Sequence, residues 1–182
     1  MIDAPVSNAD FGLYVHFPWC HRLCPYCDFN VHVGRFDGAR YRDTILAELN
    51  QRADPFANCG PLRSIYFGGG TPSLWGADEI GAVIEAASRR FGLHPEPEIT
   101  LEANPEDRGA LPNLIAAGVN RISLGAQSFF DAELRFLGRV HHADDTARAV
   151  DVAREAGASI SLDLIYGLPG QTPDAVAANV DK

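Results

Sequence analysis

Basic residues are scarce in this chain: its 182 residues include 15 Lys and Arg against 24 Asp and Glu, for a formal net charge of −9. A surface that binds nucleic acid needs clustered basic side chains to neutralise phosphates. The shortage therefore argues against nucleic acid as a partner. It does not select any particular small molecule.

Long apolar runs are also missing. No stretch approaches the roughly 18 apolar residues that a membrane-spanning helix needs, so we expect no membrane span. Residues 1–10 carry neither the basic start nor the apolar segment of a secretory signal. We therefore expect a cytoplasmic protein, in which thiols stay reduced.

Cysteine is sparse as well, yet three of the four cysteines lie close together in the sequence. Cys20, Cys24 and Cys27 form a C-x3-C-x2-C pattern just after an apolar run at 13–17. That run predicts a strand that stops at Pro18. Three reduced thiolates on one short loop can converge on a single metal centre. Cys59 lies far along the chain, and we interpret it as a partly buried thiol outside that centre.

Two kinds of metal centre fit the cysteine loop. Three thiolates can hold three irons of a four-iron cluster, which leaves the fourth iron open to an outside ligand. The alternative is a structural zinc site whose fourth ligand is Cys59 or a nearby histidine. The candidate histidines are His16, His21 and His32. Zinc modules usually bring cysteines in C-x2-C pairs, so the observed spacing favours the cluster.

Strand and helix patterns alternate along the whole chain. Apolar β-rich runs predict strands, and apolar residues at three- and four-residue spacing predict helices. The predicted strands are 13–17, 64–67, 98–103, 121–126 and 159–165. The predicted helices are 38–52, 80–91, 111–115, 131–137, 143–156 and 172–182.

This order requires a parallel α/β sheet with right-handed crossovers. A weak internal echo between 117–124 and 156–162 suits repeated βα units. A closed eight-stranded barrel needs about 250 residues, so five units predict a partial barrel. Because the last predicted helix is followed by no strand, we expect a truncated chain.

Residues that break the apolar pattern collect where the predicted strands end. They are the cysteine loop, the glycines at 68–70, Glu102, Gln127 and Asp163. Binding sites of parallel α/β folds lie at the carboxyl ends of the strands, so this shared edge predicts one site.

The glycines are followed by Thr71 and lack the Lys-Ser/Thr ending of a nucleotide-binding loop. We expect close backbone approach there, with amides free for a carboxylate or carbonyls free for an amino group.

Several side chains near this edge carry weaker expectations. An ionised Asp163 within an apolar strand needs a partner, and Arg139 is the nearest candidate by topology. His141 and His142 are expected at the surface. The aromatic residues Phe129, Phe130 and Phe136 are most simply explained as core.

Five stretches together resemble the radical S-adenosylmethionine (SAM) superfamily, and within it the oxygen-independent coproporphyrinogen III oxidase branch. The stretches are YVHFPWC at 14–20, CPYCDF at 24–29, FGGGTP at 67–72, LGAQSF at 124–129 and DLIYGLP at 163–169. The resemblance covers nearly the whole chain. It implies a partial (β/α)6 barrel of the TIM-like type, truncated here after about five β/α units.

The resemblance also implies cofactors and their ligands. A [4Fe–4S] cluster would be held by Cys20, Cys24 and Cys27, with SAM on the open iron and Tyr26 beside both. The residues implied to contact SAM are Tyr14, Gly69, Gly70, Thr71, Glu102, Gln127, Arg139 and Asp163. The cluster and SAM, rather than the protein, would supply radical chemistry.

One departure from the oxidase pattern bears on function. The oxidases resemble C-x3-C-x2-C-x-C, whereas Phe29 stands here at the place of the last cysteine. The Cys-Asp-Phe form resembles HemW-type heme chaperones, which bind heme and pass it to respiratory-chain apo-proteins. The alternatives are a coproporphyrinogen III oxidase that decarboxylates propionates, and a zinc-stapled α/β binding module. Whether the chain is an enzyme therefore stays open.

The resemblance has a consequence for domain organisation. The full chains of this family carry a last barrel strand and a C-terminal domain that this sequence lacks. We therefore expect residues 1–182 to form an incomplete radical SAM core domain.

Overall fold

The computed structural model describes residues 11–182, so the expectation about residues 1–10 lies outside the described part. Strands and helices alternate along the chain. The strands are β1 (Gly12–Phe17), β2 (Trp19–Cys20), β3 (His32–Val33), β4 (Leu62–Gly69), β5 (Leu93–Ala103), β6 (Arg121–Gln127) and β7 (Ser159–Leu164). The helices are α1 (Gly38–Arg52), α2 (Ala77–Phe91), α3 (Leu111–Ala116), α4 (Asp131–Phe136), α5 (Ala143–Glu155) and α6 (Pro173–Val180). Short 3-10 turns lie at Asp54–Phe56, Pro72–Leu74 and Pro105–Asp107.

Five strands form one sheet in the order β1-β4-β5-β6-β7, and every neighbouring pair is parallel. The predicted parallel α/β architecture is confirmed. Strands β1 and β7 are the two edges of the sheet, so across residues 11–182 the barrel stays open. In the same range, no helix is long and apolar enough to cross a bilayer.

The two faces of the sheet differ in chemistry because successive side chains of a strand point to opposite sides. One face is apolar and packs under the helices; its central residues are Val15, Phe17, Ile65, Phe67, Ile99, Leu101, Ile122 and Leu124. The opposite face carries Tyr14, Tyr66, Thr100, Glu102, Ser123 and Asp163, which alternate with those core residues. The helices cover the apolar face, and the polar face is left to line a site.

Helix α2 shows how the apolar face is sealed. Ile80, Val83, Ile84 and Ala87 recur at helical spacing and are buried in the core. Asp78 and Glu79 in the first turn and two arginines in the last turn complement the helix dipole. Gly92 then ends the helix with φ of 74°, a conformation that favours glycine.

Strand β5 starts five residues earlier than the predicted start at Glu98. Pro95 and Pro97 made this stretch unlike a strand, because proline cannot donate to a ladder. The pairing with β4 shifts register between Leu62↔Leu93 and Ser64↔Glu98. The prolines therefore fall in an irregular stretch that needs no ladder hydrogen bonds.

The short pair β2–β3 is an element that the sequence prediction missed. Trp19 pairs with His32, and Cys20 pairs with Val33. The His32 amide also donates to the Pro18 carbonyl at 2.6 Å. The two ends of the cysteine loop are therefore fastened together at its base.

The expectation that three phenylalanines belong to the core is wrong for Phe136, whose side chain is 60% exposed. Phe129 and Phe130 are half-buried. The buried apolar residues of this segment are Leu134 in helix α4 and Leu137 directly after it.

A buried polar cluster fastens the last helix to the rest of the fold. The Asn179 Oδ1 accepts from the Phe129 amide at 2.7 Å and from the Ser128 hydroxyl at 3.2 Å. The Asn179 Nδ2 donates to Glu133 Oε2 at 2.9 Å, and Gln171 donates to the other carboxylate oxygen at 2.8 Å. The side-chain hydrogen bonds of Asn179 thus hold helix α6 against residues 128–133.

Substitution of Asn179 by Ala is expected to destabilise the fold by about 1–3 kcal/mol, because it leaves the Phe129 amide without its acceptor. Urea unfolding followed by circular dichroism measures the loss. Asn113→Ala, the same substitution at an exposed position of helix α3, is the matched control and should change stability by less than about 0.5 kcal/mol. Equal losses in the two variants would contradict the role of the cluster.

Candidate functional site

The cysteine loop hangs from the carboxyl end of β1 and is closed by the β2–β3 pair. Cys20, Cys24 and Cys27 are all half-buried and line one cavity of about 380 Å³. A tight turn, in which the Cys27 amide donates to the Cys24 carbonyl at 3.0 Å, folds the loop back. Cys59 is half-buried elsewhere and does not line this cavity. The structure therefore brings together the three cysteines that the sequence singled out.

A chain of side-chain hydrogen bonds connects the sulfurs of Cys20 and Cys24. Thr71 Oγ1 donates to Cys20 Sγ at 3.4 Å and accepts from Asn104 Nδ2 at 3.3 Å. Asn104 Oδ1 in turn accepts from Arg139 Nη2, and Arg139 Nη1 donates to Cys24 Sγ at 3.6 Å. At each end of this chain a sulfur accepts, Cys20 Sγ from Thr71 and Cys24 Sγ from Arg139. Donors directed at sulfur stabilise the thiolate form that binds metal.

Burial is the main electrostatic influence on the loop. It raises the pKa of Cys20, with a smaller opposing effect from the Thr71 hydrogen bond and a further increase from the other two cysteines. Burial also raises the pKa of Tyr26 to about 12, although Arg139 opposes the increase. Tyr26 thus stays a neutral phenol beside the sulfurs. Metal binding would relieve the repulsion among the three thiolates.

The arrangement of ligands distinguishes the two metal centres. Within residues 11–182, no three His, Cys, Asp or Glu side chains converge as ligands of a single metal ion. Both ring nitrogens of His16 are already engaged, by the Tyr14 hydroxyl at 2.9 Å and the Asn30 carbonyl at 3.1 Å. An iron–sulfur cluster, in which each cysteine binds a different iron, fits these residues better than one zinc ion.

The glycines after β4 serve close packing. A Cβ on Gly69, whose φ is 118°, would lie 2.6 Å from the His16 ring, and a Cβ on Gly70 would lie 2.5 Å from the Trp19 carbonyl oxygen. The expectation of free amides is wrong here. Gly69 N donates to Glu102, Gly70 N to the Phe17 carbonyl, and Thr71 N to the Trp19 carbonyl. The amides fix the backbone, and the glycines open the cavity wall.

Glu102 is the acidic centre of the cavity floor. Its Oε2 accepts from the Gly69 amide at 2.9 Å, and its Oε1 accepts from the Tyr66 hydroxyl at 2.8 Å. Burial and Glu102 together raise the pKa of Tyr66 to about 12, so the phenol stays a donor. Both carboxylate oxygens are held in place, with their remaining lone pairs available to the cavity.

Gln127 has an unusual backbone. Its φ of 64° makes it the single non-glycine residue with positive φ in the described range. The strain falls where the β6–β7 register shifts between Leu124 and Gln127. The Ile165 amide donates to the Gln127 carbonyl at 2.9 Å and holds this conformation. Strained residues of this kind cluster at functional sites.

The predicted pairing of Asp163 with Arg139 is wrong. Asp163 lies on the edge strand β7, where it is exposed and accepts from the Ser123 hydroxyl at 3.3 Å. Arg139 points instead toward Cys24, Asn104 and Glu106. Because β7 has no neighbour on its outer side among the described strands, Asp163 is solvated and needs no buried partner.

All the predicted site residues except Tyr14 line the same cavity. These are Cys20, Cys24, Tyr26, Cys27, Gly69, Gly70, Thr71, Glu102, Gln127, Arg139 and Asp163. Tyr14 stacks on Tyr66 with ring centroids 6.1 Å apart, and it lines a second cavity between β1 and α1. The five strand ends therefore converge on one site, as the sequence predicted.

Three residues of this site were missed from the sequence. Asn104 and Glu106 were assigned no role from the sequence. His141, expected at the surface, is buried with an exposed fraction of 3%. The signal for Asn104 was available, since it directly follows the third strand of the sheet at the same edge.

Comparison with known proteins agrees with this geometry. The family described as the Radical SAM superfamily matches residues 14–182. A heme chaperone HemW of Haemophilus influenzae is 42% identical over 88% of this chain and 44% of its own length. The mitochondrial radical S-adenosyl methionine domain-containing protein 1 of Mus musculus is 41% identical over 88% of this chain and 37% of its own.

A solved structure supports the same assignment. The coproporphyrinogen III oxidase HemN of Escherichia coli, described as a radical SAM enzyme, superposes with a TM-score of 0.84 at 33% identity. The match covers 98% of this chain and 42% of that one, so the chain spans less than half the length of these relatives. The resemblance noted in the sequence is confirmed: the chain belongs to the radical SAM superfamily.

Proposed function

We propose that this chain is the radical SAM core of a heme chaperone. The observation that carries the proposal is the end of the cysteine motif, where Phe29 takes the place of the further cysteine of the oxidase type. Relatives that are 42% and 39% identical are named heme chaperones, which supports this choice. The structural likeness to the oxidase HemN, at 33% identity, makes coproporphyrinogen oxidation the second candidate.

Membership of the superfamily implies a [4Fe–4S] cluster and SAM, which together supply one-electron chemistry when bound. In this proposal Cys20, Cys24 and Cys27 hold three irons. Thr71 and Arg139 orient the sulfurs by hydrogen bonds, and Tyr26 lies beside Cys24 and Arg139.

Further residues of the cavity would bind SAM. They are Gly69, Gly70, Thr71, Glu102, Gln127, Arg139 and Asp163. Glu102 offers a fixed carboxylate to a hydroxyl or amino group, and the glycines let a ligand approach the backbone. For Tyr14 the support is its place in the motif at 14–20 and its stacking on Tyr66.

Exposed apolar side chains at the cavity support the proposal of an apolar cargo. Leu23 and Phe29 line the cavity and are 58% and 69% exposed, and Val33 close by is 56% exposed. Exposed apolar side chains grouped at a cavity mark interaction sites. We therefore propose heme or a porphyrin as cargo; a respiratory-chain apo-protein as its acceptor is proposed only from the resemblance of the cysteine motif to HemW-type heme chaperones.

The proposal extends to location and domain organisation. Residues 1–182 would form an incomplete core domain, to which longer relatives add the remainder of their chains. A cytoplasmic location is proposed because the site relies on reduced cysteines.

Replacement of any one loop cysteine by serine should abolish cluster assembly, because each thiolate would hold a different iron. The protein is reconstituted without oxygen, and iron and acid-labile sulfide are measured; about four of each per chain are expected before substitution. Cys59→Ser is the matched control and should keep the full content. About one zinc per chain, without sulfide, would instead identify the zinc-stapled module.

Glu102→Gln should weaken SAM binding about 10-fold to 100-fold, because the neutral amide removes the negative charge and one of the two acceptor oxygens that the cavity offers to a hydroxyl or amino group. Calorimetric titration of the reconstituted protein gives the dissociation constant. Glu98→Gln, an exposed glutamate on the same face of the same strand, is the control and should bind SAM normally. An unchanged constant for the Glu102 variant would contradict its role.

Heme titration separates the two leading functions. The chaperone predicts a shifted Soret band at micromolar heme and no porphyrin product. The oxidase predicts protoporphyrinogen from coproporphyrinogen III with reduced protein and SAM. Product formation without a Soret shift would replace the first proposal by the second.

A further inference from the structure

Asn104 has a fixed position at the edge of the sheet where the site lies. It directly follows β5, whose last residue Ala103 pairs with Leu124 of β6. Its own carbonyl accepts from the Asp107 amide at 3.0 Å in the 3-10 turn that comes next. The backbone is held on both sides of Asn104, so its side chain starts from a defined point.

The side chain of Asn104 is not used in the way that its place in the chain favours. An asparagine directly before a helical turn commonly caps it, with the side-chain oxygen accepting from a backbone amide. Asn104 precedes the turn at Pro105–Asp107, yet its side chain makes no such hydrogen bond. It extends instead across the strand ends, to Thr71 after β4 and to Arg139 after α4.

The Arg139 guanidinium fixes which end of the Asn104 amide faces which neighbour. Arg139 Nη2 can only donate, so the atom of Asn104 that it contacts is the oxygen Oδ1. The amide nitrogen Nδ2 then faces the other way, where it donates to Thr71 Oγ1 at 3.3 Å. Glu106 lies 3.9 Å from Arg139 Nη2, which is too far for a hydrogen bond. Asn104, and not Glu106, therefore receives the hydrogen bond of this guanidinium nitrogen.

Thr71 passes this orientation on to Cys20. A hydroxyl has one proton to donate, and here Asn104 Nδ2 already donates to its oxygen. The hydroxyl proton is therefore directed at Cys20 Sγ, 3.4 Å away. Thr71 is 4% exposed, so bulk water does not compete for that proton. Since Arg139 also donates to Cys24 Sγ at 3.6 Å, one side-chain amide links the hydrogen bonds on two sulfurs.

We infer that Asn104 is a positioning residue that makes the hydrogen bond on Cys20 depend on the guanidinium beside Cys24. The inference rests on the proposed function, because the two sulfurs act together only as ligands of one iron–sulfur cluster. Hydrogen bonds donated to the cysteine sulfurs raise the reduction potential of such a cluster, since they stabilise the added electron. Asn104 would act on that potential through Thr71 and Arg139.

The first test needs no iron–sulfur cluster. NMR of this chain without metal should show the Asn104 side-chain NH2 protons close to the Thr71 methyl group and not to the Arg139 guanidinium. The NH2 signals are assigned by their loss in Asn104→Asp. The NH2 group of Asn113, which is exposed on helix α3, is the internal reference and should show neither proximity. Asn104 NH2 protons that lie close to Arg139 instead would overturn the inference.

The second test uses the reconstituted protein and changes the polarity of the side chain at nearly constant size. Asn104→Asp replaces the donor Nδ2 by an acceptor, so the Thr71 hydroxyl should turn from Cys20 to the new carboxylate. Thr71→Val removes that hydroxyl. In the otherwise unchanged protein, Thr71→Val should move the reduction midpoint, measured by EPR titration, to a more negative potential. In the Asn104→Asp background it should give less than half of that shift.

Comparison within each background removes the effect of the added charge, because both proteins of a pair carry it. Asn113→Asp adds a charge at an exposed position and is the matched control, in which Thr71→Val should keep its full effect. A full shift in the Asn104→Asp background, or no shift in the otherwise unchanged protein, would refute the inference. If the unsubstituted protein assembles no iron–sulfur cluster, the proposed function fails, while the NMR measurement still decides the orientation of Asn104.

Discussion

The whole site depends on one constraint, which is that five parallel strands end at the same edge of the sheet. That edge brings together side chains that lie far apart in the sequence, from Cys20 after β1 to Asp163 in β7. The helices seal one face of the sheet with apolar contacts, so the polar residues of the other face are left to line a cavity. Without the parallel pairing of the strands, the glycines at 68–70, Glu102 and Gln127 would not lie at one edge of the sheet.

Much of this was predictable because strand ends are visible in a sequence. The echo between 117–124 and 156–162 shows why: Ile122 pairs with Ile160, and Ser123 pairs with Ser161, so matching residues of two βα units are register partners. The alternation of apolar runs shows where the strands lie, and glycine and proline show where they end. Because the carboxyl ends of parallel strands lie at one edge of the sheet, these signals were enough to place the predicted residues together. The cysteine spacing added the chemistry.

What escaped prediction depends on contacts between distant segments. Whether the Gly69 amide is free depends on Glu102, which lies a whole βα unit away. Arg139 could meet Asp163 or Glu106, and only the folded loop after α4 selects Glu106. His141 and Phe136 exchange their expected places, because one faces the Ala126 carbonyl inside the fold and the other points outward. Local pattern carries no information on these choices.

The small β2–β3 ladder affects how a metal cluster could assemble on the cysteine loop. By tying the two ends of the cysteine loop together, it removes much of the chain entropy that three thiols would otherwise lose when they gather around iron. The loop is framed by protein contacts of its own, unlike a zinc finger, which folds around its ion. For the proposed [4Fe–4S] cluster, this frame would let a cluster lost to oxygen be rebuilt on a loop whose two ends stay joined.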